Sequence, residues 1–126
     1  MFYLFGARLV KKLYEDFREP DDWDYVTNDI NDNAKGHGYY YIPVTPDREM
    51  TGDEILTLRI SHMIFIHKWQ EAYDDTMFLR SKGCKLLPDF LQQLRLFWTE
   101  DKLHKNRPRC TDEQLNILKE LEIELL

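Results

Sequence analysis

Asp22 and Asp24 stand two residues apart in DDWDYVTND, residues 21–29, beside Trp, Tyr and Val. The aromatic and β-branched neighbours favour a strand, an unfavourable place for acids. Read as a strand over 21–27, the segment puts both carboxylates on one face, because alternate strand residues share a side. Trp23 and Tyr25 then turn to the other face and into packing. Two carboxylates side by side repel unless a positive charge lies between them. Mg2+ suits that place: a hard cation, it takes one or two carboxylates and leaves its other positions to water and phosphate oxygens. Such an ion neutralises a triphosphate and stabilises a leaving pyrophosphate. The plainer alternative is that the two acids flank a strand end near a turn.

The elements that would position these acids can be read in order. MFYLF, ending at Gly6, fits a short buried strand followed by a turn. ARLVKKLYEDF then repeats apolar residues at Leu9, Val10, Leu13, Tyr14 and Phe17, a helical spacing that Pro20 ends. A glycine between strand and helix lets backbone N–H groups approach a phosphate. NDINDNAKGHG is turn chemistry, and YYYIPVT is a third strand, placed by Pro43 near an edge or bulge. Thr51 with Glu54 forms a capping-box signature for one long helix from Asp53 to Ser81. Its expected stripe is Ile55, Leu58, Phe65, Ile66, Trp69, Tyr73 and Met77, with Gly83 as terminator. Pro88 opens another helix, and Thr111 with Gln114 opens the last. The fold class is therefore α+β, a small mixed sheet of about three strands with three C-terminal helices. A length of 126 residues fits a single domain, 1–126, with its strand-helix-strand-strand part over 1–50 and its helical part over 51–126.

The segment YLFGARLVKKLYEDFREPDDWDYVTND resembles the opening of the nucleotidyltransferase superfamily, in which a strand ends in Gly-Ser or Gly-Gly, a helix follows, and an Asp-x-Asp strand binds metal. SHMIFIHKWQEAYDDTMFLRSKG is similar, more loosely, to a helical segment of short phage-encoded nucleotidyltransferase-like proteins. The better match covers residues 1–29. The resemblance implies a nucleotidyltransferase-like core in which Asp22 and Asp24 hold Mg2+. Gly6, Ala7, Arg8 and Lys11 would line the nucleotide's phosphates, and a nucleotidyl group would pass from a nucleoside triphosphate to a hydroxyl. Nucleic acid would enter only as an acceptor end. The chain departs from the family in three places, one of them a segment from Gly6 to Asp22 that is longer than in the most compact members. Ala7 replaces the residue that would offer a hydroxyl, and YYYIPVT lacks the family's third carboxylate, with Asp29, Asp32, Asp47 and Glu49 only in flanking loops.

A second class of function follows from charge. Net charge is −6, which does not suit a general nucleic-acid binder, and six acids fall between Glu15 and Asp24. Clustered acids can occupy a basic groove on a partner, as a catalytically degenerate protein that binds or inhibits a host protein would do. Two cysteines suit a reduced, cytoplasmic chain, and no apolar run reaches the ~20 residues of a membrane span. His62 reads as a core histidine, and His67 reads as a surface partner of Glu71. Cys84, His104 and Cys110 match no zinc pattern. The basic run 101–109 could meet a triphosphate or RNA end, or simply be a solvated loop.

Overall fold

The structure is a computed structural model that describes residues 2–29, 31, 39–42, 47–65, 68–100 and 110–120. Its elements are β1 (Tyr3–Phe5), α1 (Gly6–Leu13), β2 (Asp24–Thr27), β3 (Tyr39–Tyr41), α2 (Gly52–Phe65), α3 (Trp69–Ser81), α4 (Pro88–Glu100) and α5 (Asp112–Glu120). The class is mixed α/β, with five helices among the described residues. β1 pairs antiparallel with β2 in the register Tyr3↔Val26, Leu4↔Tyr25, Phe5↔Asp24. β3 lies parallel on the other side of β2, with Val26 opposite Tyr40. No helix among the described residues is long and apolar enough to cross a membrane.

α2 is the central element. Eleven of its fourteen residues are buried, so it is covered on all sides rather than along one stripe. It packs against α3 and α4, and α1 covers it from the sheet side. Thr51 starts it as the capping box requires: Thr51 N donates to Glu54 Oε1 at 2.9 Å, and Glu54 N donates to Thr51 Oγ1 at 3.3 Å. The reciprocal bonds satisfy two donors that a helix start otherwise leaves open. Within α2, Ser61 Oγ accepts the buried indole N–H of Trp98 at 3.0 Å, tying α4 down.

The single helix expected from Asp53 to Ser81 is two helices, so four helices follow the sheet rather than three. α2 ends at Phe65, and Lys68, before α3, has φ −126° and ψ 56°, outside the helical region. Residues 66 and 67, including His67, lie outside the described residues. A continuous helix of that length would run about 43 Å, well past the ~30 Å of a small domain. Folding back lets α3 bury a face on α2 instead. That face is Ala72, Asp75, Thr76 and Leu79, whereas Met77 of the expected stripe is exposed.

Asp75 is the unexpected member of that face, with its side chain 2% exposed. Arg59 of α2 meets it at 3.1 Å and Arg18, from the turn after α1, at 3.2 Å. Arg18 also reaches the exposed Glu71 at 3.3 Å. One buried carboxylate thus joins α2, α3 and the α1–β2 connection.

That connection begins earlier than the helical pattern suggests. α1 stops at Leu13, Tyr14 is extended, and Phe17 turns back into the core against Phe78, with ring centroids 4.9 Å apart. Lys11 explains the early stop, because its Nζ donates to the Glu15 and Phe17 carbonyls at 2.6 and 2.8 Å. Tyr14 Oη lies 3.1 Å from Cys84 Sγ. A methyl on Gly52 would fall 2.6 Å from Tyr14 Oη and 2.7 Å from Cys84 Sγ, so only glycine lets α2 start beneath this pair.

Two outcomes test this packing. Asp75→Ala leaves Arg59 buried without its counter-ion and should lower unfolding free energy by about 3–5 kcal/mol in urea denaturation. Glu71→Ala, at the exposed end, should lower it by less than about 1 kcal/mol. The hydrogen bond with Cys84, with burial second, pushes the Tyr14 phenol up from 10.0 to about 12. The folded chain therefore holds that proton more tightly than the unfolded chain. The resulting stability is complete below about pH 10 and lost as pH rises through about 12. Denaturation across that window should show a smaller loss in Tyr14→Phe than in the parent.

Candidate functional site

β1 turns into α1 within one residue. Phe5 is extended, with φ −149° and ψ 169°, and Gly6, the first helical residue, has φ +68°. A side chain at that φ is disfavoured, so glycine is what permits the junction. The Phe5↔Asp24 register puts the first residue of β2 beside it. A Cβ on Gly6 would lie 3.1 Å from Asp24 Oδ2, so the Asp24 carboxylate rests against the bare glycine.

This contact places a half-buried carboxylate at the N-terminus of α1, where unpaired N–H groups and the helix dipole favour negative charge. α1 has no acid in its own first turn and no side-chain cap from Phe5. Asp24 supplies the charge from across the sheet. The same charge repels a bare phosphate from that helix end, so a phosphate could approach closely only with a cation between.

Asp22 is placed differently from the expectation. β2 begins at Asp24, and residues 21–23 form an exposed, irregular approach to it. Strand alternation therefore does not align the two carboxylates, because Pro20 and the turn before it delay the strand. Trp23 is not packed inside either. It is 57% exposed, and the Arg8 guanidinium lies 4.5 Å from its ring centroid.

The basic residues after the glycine hold the chain's own backbone. Arg8 Nη2 donates to the Pro20 carbonyl at 3.0 Å, and Nη1 lies 3.5 Å from Glu19 Oε1. Lys11 is bonded to the Glu15 and Phe17 carbonyls, and Lys12 meets Glu49 at 2.9 Å. Ala7 is half-buried against the core. Gly6 and Asp24 are thus brought together, Arg8 sits beside the approach to β2, and Lys11 is turned into the α1–β2 connection.

Of the flanking acids, Glu49 pairs with Lys12, Asp29 caps the turn at Asn31 N at 2.9 Å, and Asp47 is exposed. Asp32 lies outside the described residues. Among the described residues no group of three or more His, Cys, Asp or Glu could hold a metal ion. Asp22 and Asp24 remain two residues apart in sequence, with only Asp24 in the strand. His62 is half-buried, with its ring 5.9 Å from that of Trp98. Cys84 and Cys110 are free thiols, and burial raises the Cys110 pKa. His104 and the basic run 101–109 lie outside the described residues.

Sequence reasoning did not find the exposure of Trp23. Its signal was the run of Pro20, Asp21 and Asp22 just before, which is turn rather than strand chemistry. Compared with protein families, curated proteins and solved structures, the chain has no match.

Gly6→Ala should cost about 1–2 kcal/mol from the positive φ alone, with more where the methyl meets Asp24. Urea denaturation measures it, and an unchanged midpoint would show that the junction does not need glycine.

Proposed function

We propose that the chain is a nucleotidyltransferase-like protein that takes a nucleoside triphosphate with Mg2+ at the β1–α1 junction and transfers its nucleotidyl group to a hydroxyl. The observation that carries this is the contact between Asp24 and Gly6 at the start of α1. It joins an acid, an open glycine backbone and a helix N-terminus in one place. Asp24 and Asp22 would hold Mg2+, whose chemistry there is to neutralise the triphosphate and the departing pyrophosphate. The amides that follow Gly6 would donate to phosphate oxygens, with the divalent ion standing between the phosphate and the Asp24 carboxylate that rests on Gly6. Arg8 fixes the approach to β2 that carries Asp22. A three-stranded nucleotidyltransferase-like core is the fold this reading assumes, in a cytoplasmic protein.

A second reading is favoured by the engagement of Arg8 and Lys11 with backbone carbonyls, which takes both cations away from phosphate. On this reading the chain is a catalytically degenerate, phage-encoded protein that binds or inhibits a host protein through the exposed acids Glu15, Asp16, Glu19, Asp21 and Asp22. The Lys82 ammonium, bonded to Asp16 at 2.6 Å, holds that carboxyl below its usual range, so this part of the surface keeps its charge in mild acid.

One comparison separates the two. On the first reading, nucleoside triphosphate with Mg2+ raises Tm, nucleotide without Mg2+ does not, and Asp22→Asn and Asp24→Asn each remove the shift. On the second, millimolar nucleotide leaves Tm unchanged, and a partner bound by the parent chain is released by charge-neutralising the five exposed acids.

A further inference from the structure

An exposed tryptophan is costly to leave in water, and Trp23 is held there rather than left loose. It is 57% exposed on the approach to β2, just before Asp24, and is tied to the first turn of α1 by Arg8, two residues after Gly6. Arg8 stacks on the indole at 4.5 Å. That guanidinium is itself fixed by the Pro20 carbonyl at 3.0 Å and by Glu19 at 3.5 Å. A cation over one ring face orders the indole and leaves its remaining surface to solvent.

We infer that Trp23 is a stacking platform for the base of a nucleotide whose phosphates lie at the Gly6 junction. This rests on the nucleotide reading above and adds the part of the ligand that the phosphate contacts do not recognise. A planar aromatic base matches a flat, exposed indole. Stacking on it requires no particular hydrogen-bond pattern, so the platform accepts adenine and guanine alike and prefers larger bases to smaller ones. The guanidinium below strengthens the sandwich through the ring it already covers. Arg8 is thus a positioning residue, holding the ring rather than the phosphate.

The test compares Mg–ATP with Mg–tripolyphosphate, which has the phosphates but no base, by calorimetric titration of the full chain. The parent should bind ATP about tenfold more tightly than tripolyphosphate, the order of gain expected from one stacked base. Trp23→Leu should bring ATP down to the affinity of tripolyphosphate while leaving tripolyphosphate itself unchanged, and Trp23→Phe should keep part of the preference. ATP should also shield the parent's exposed indole from acrylamide quenching, and tripolyphosphate should not. Equal affinities for the two ligands in the parent overturn the platform but leave the phosphate site standing. Equal weakening of both ligands in Trp23→Leu also overturns it, since the ring would then only support the phosphate site. Binding of neither ligand removes the nucleotide reading and the platform together. A protein complex lost in Trp23→Leu, without nucleotide binding, would assign the ring to a protein interface instead.

Discussion

A strand that becomes a helix within one residue leaves no room for a side chain at the junction, and the rest of the candidate site follows from that constraint. Gly6 accepts the positive φ, so α1 can start directly over the end of β1. The open space above its α-carbon is filled by the Asp24 carboxylate from the neighbouring strand. Backbone geometry, register and electrostatics agree at this point. The register puts the acid there, the missing Cβ admits it, and the helix dipole stabilises its charge. Shifting β2 by one residue would put the Trp23 or Tyr25 side chain against the glycine and remove all three effects.

The connection from α1 to β2 depends on a different principle, the capture of carbonyls and carboxylates by cations from defined elements. Lys11 folds over the end of its own helix, Arg8 reaches Pro20, and Arg18 enters the buried ion pair of Asp75 with Arg59. A connection dense in acids would otherwise repel itself. These cations fix its course as it leads into β2, and Arg8 lies over the Trp23 ring. On the nucleotide reading, the same engagement would leave phosphate at the Gly6 junction to backbone amides and a divalent ion, with little help from Arg8 and Lys11. Affinity for a bare anion should therefore be low there.

What could be read from the sequence was local, and what could not was set by distant partners. The Thr51–Glu54 and Thr111–Gln114 boxes are visible in four residues each, and both form. Gly6 was legible for the same reason, because a glycine set between an apolar run and a helical repeat marks the point where the backbone changes direction. The break after Phe65 was not legible, since the apolar period continues across it and only the packing of α3 back on α2 reveals it. The burial of Asp75 was not legible, because its partners, Arg18 and Arg59, lie 57 and 16 residues away in sequence. The start of β2 was misjudged from the side-chain preference of Trp23, because Pro20 and the turn before it delay the strand to Asp24.

The two acids of the Asp-x-Asp run consequently differ in what their loss would mean. Asp24 supports the fold whether or not a nucleotide ever binds, because a carboxylate at a helix N-terminus contributes roughly 0.3–1 kcal/mol of stability on its own. A degenerate protein would have reason to keep it. Asp22 is exposed and lies outside any helix or strand, so its replacement should cost the fold little. Loss of metal-dependent nucleotide binding on neutralising Asp24 can therefore arise from a displaced helix start as well as from a lost ligand. The same loss on neutralising Asp22 has a simpler cause, because that exposed position lies in no helix or strand and its replacement leaves the helix start in place.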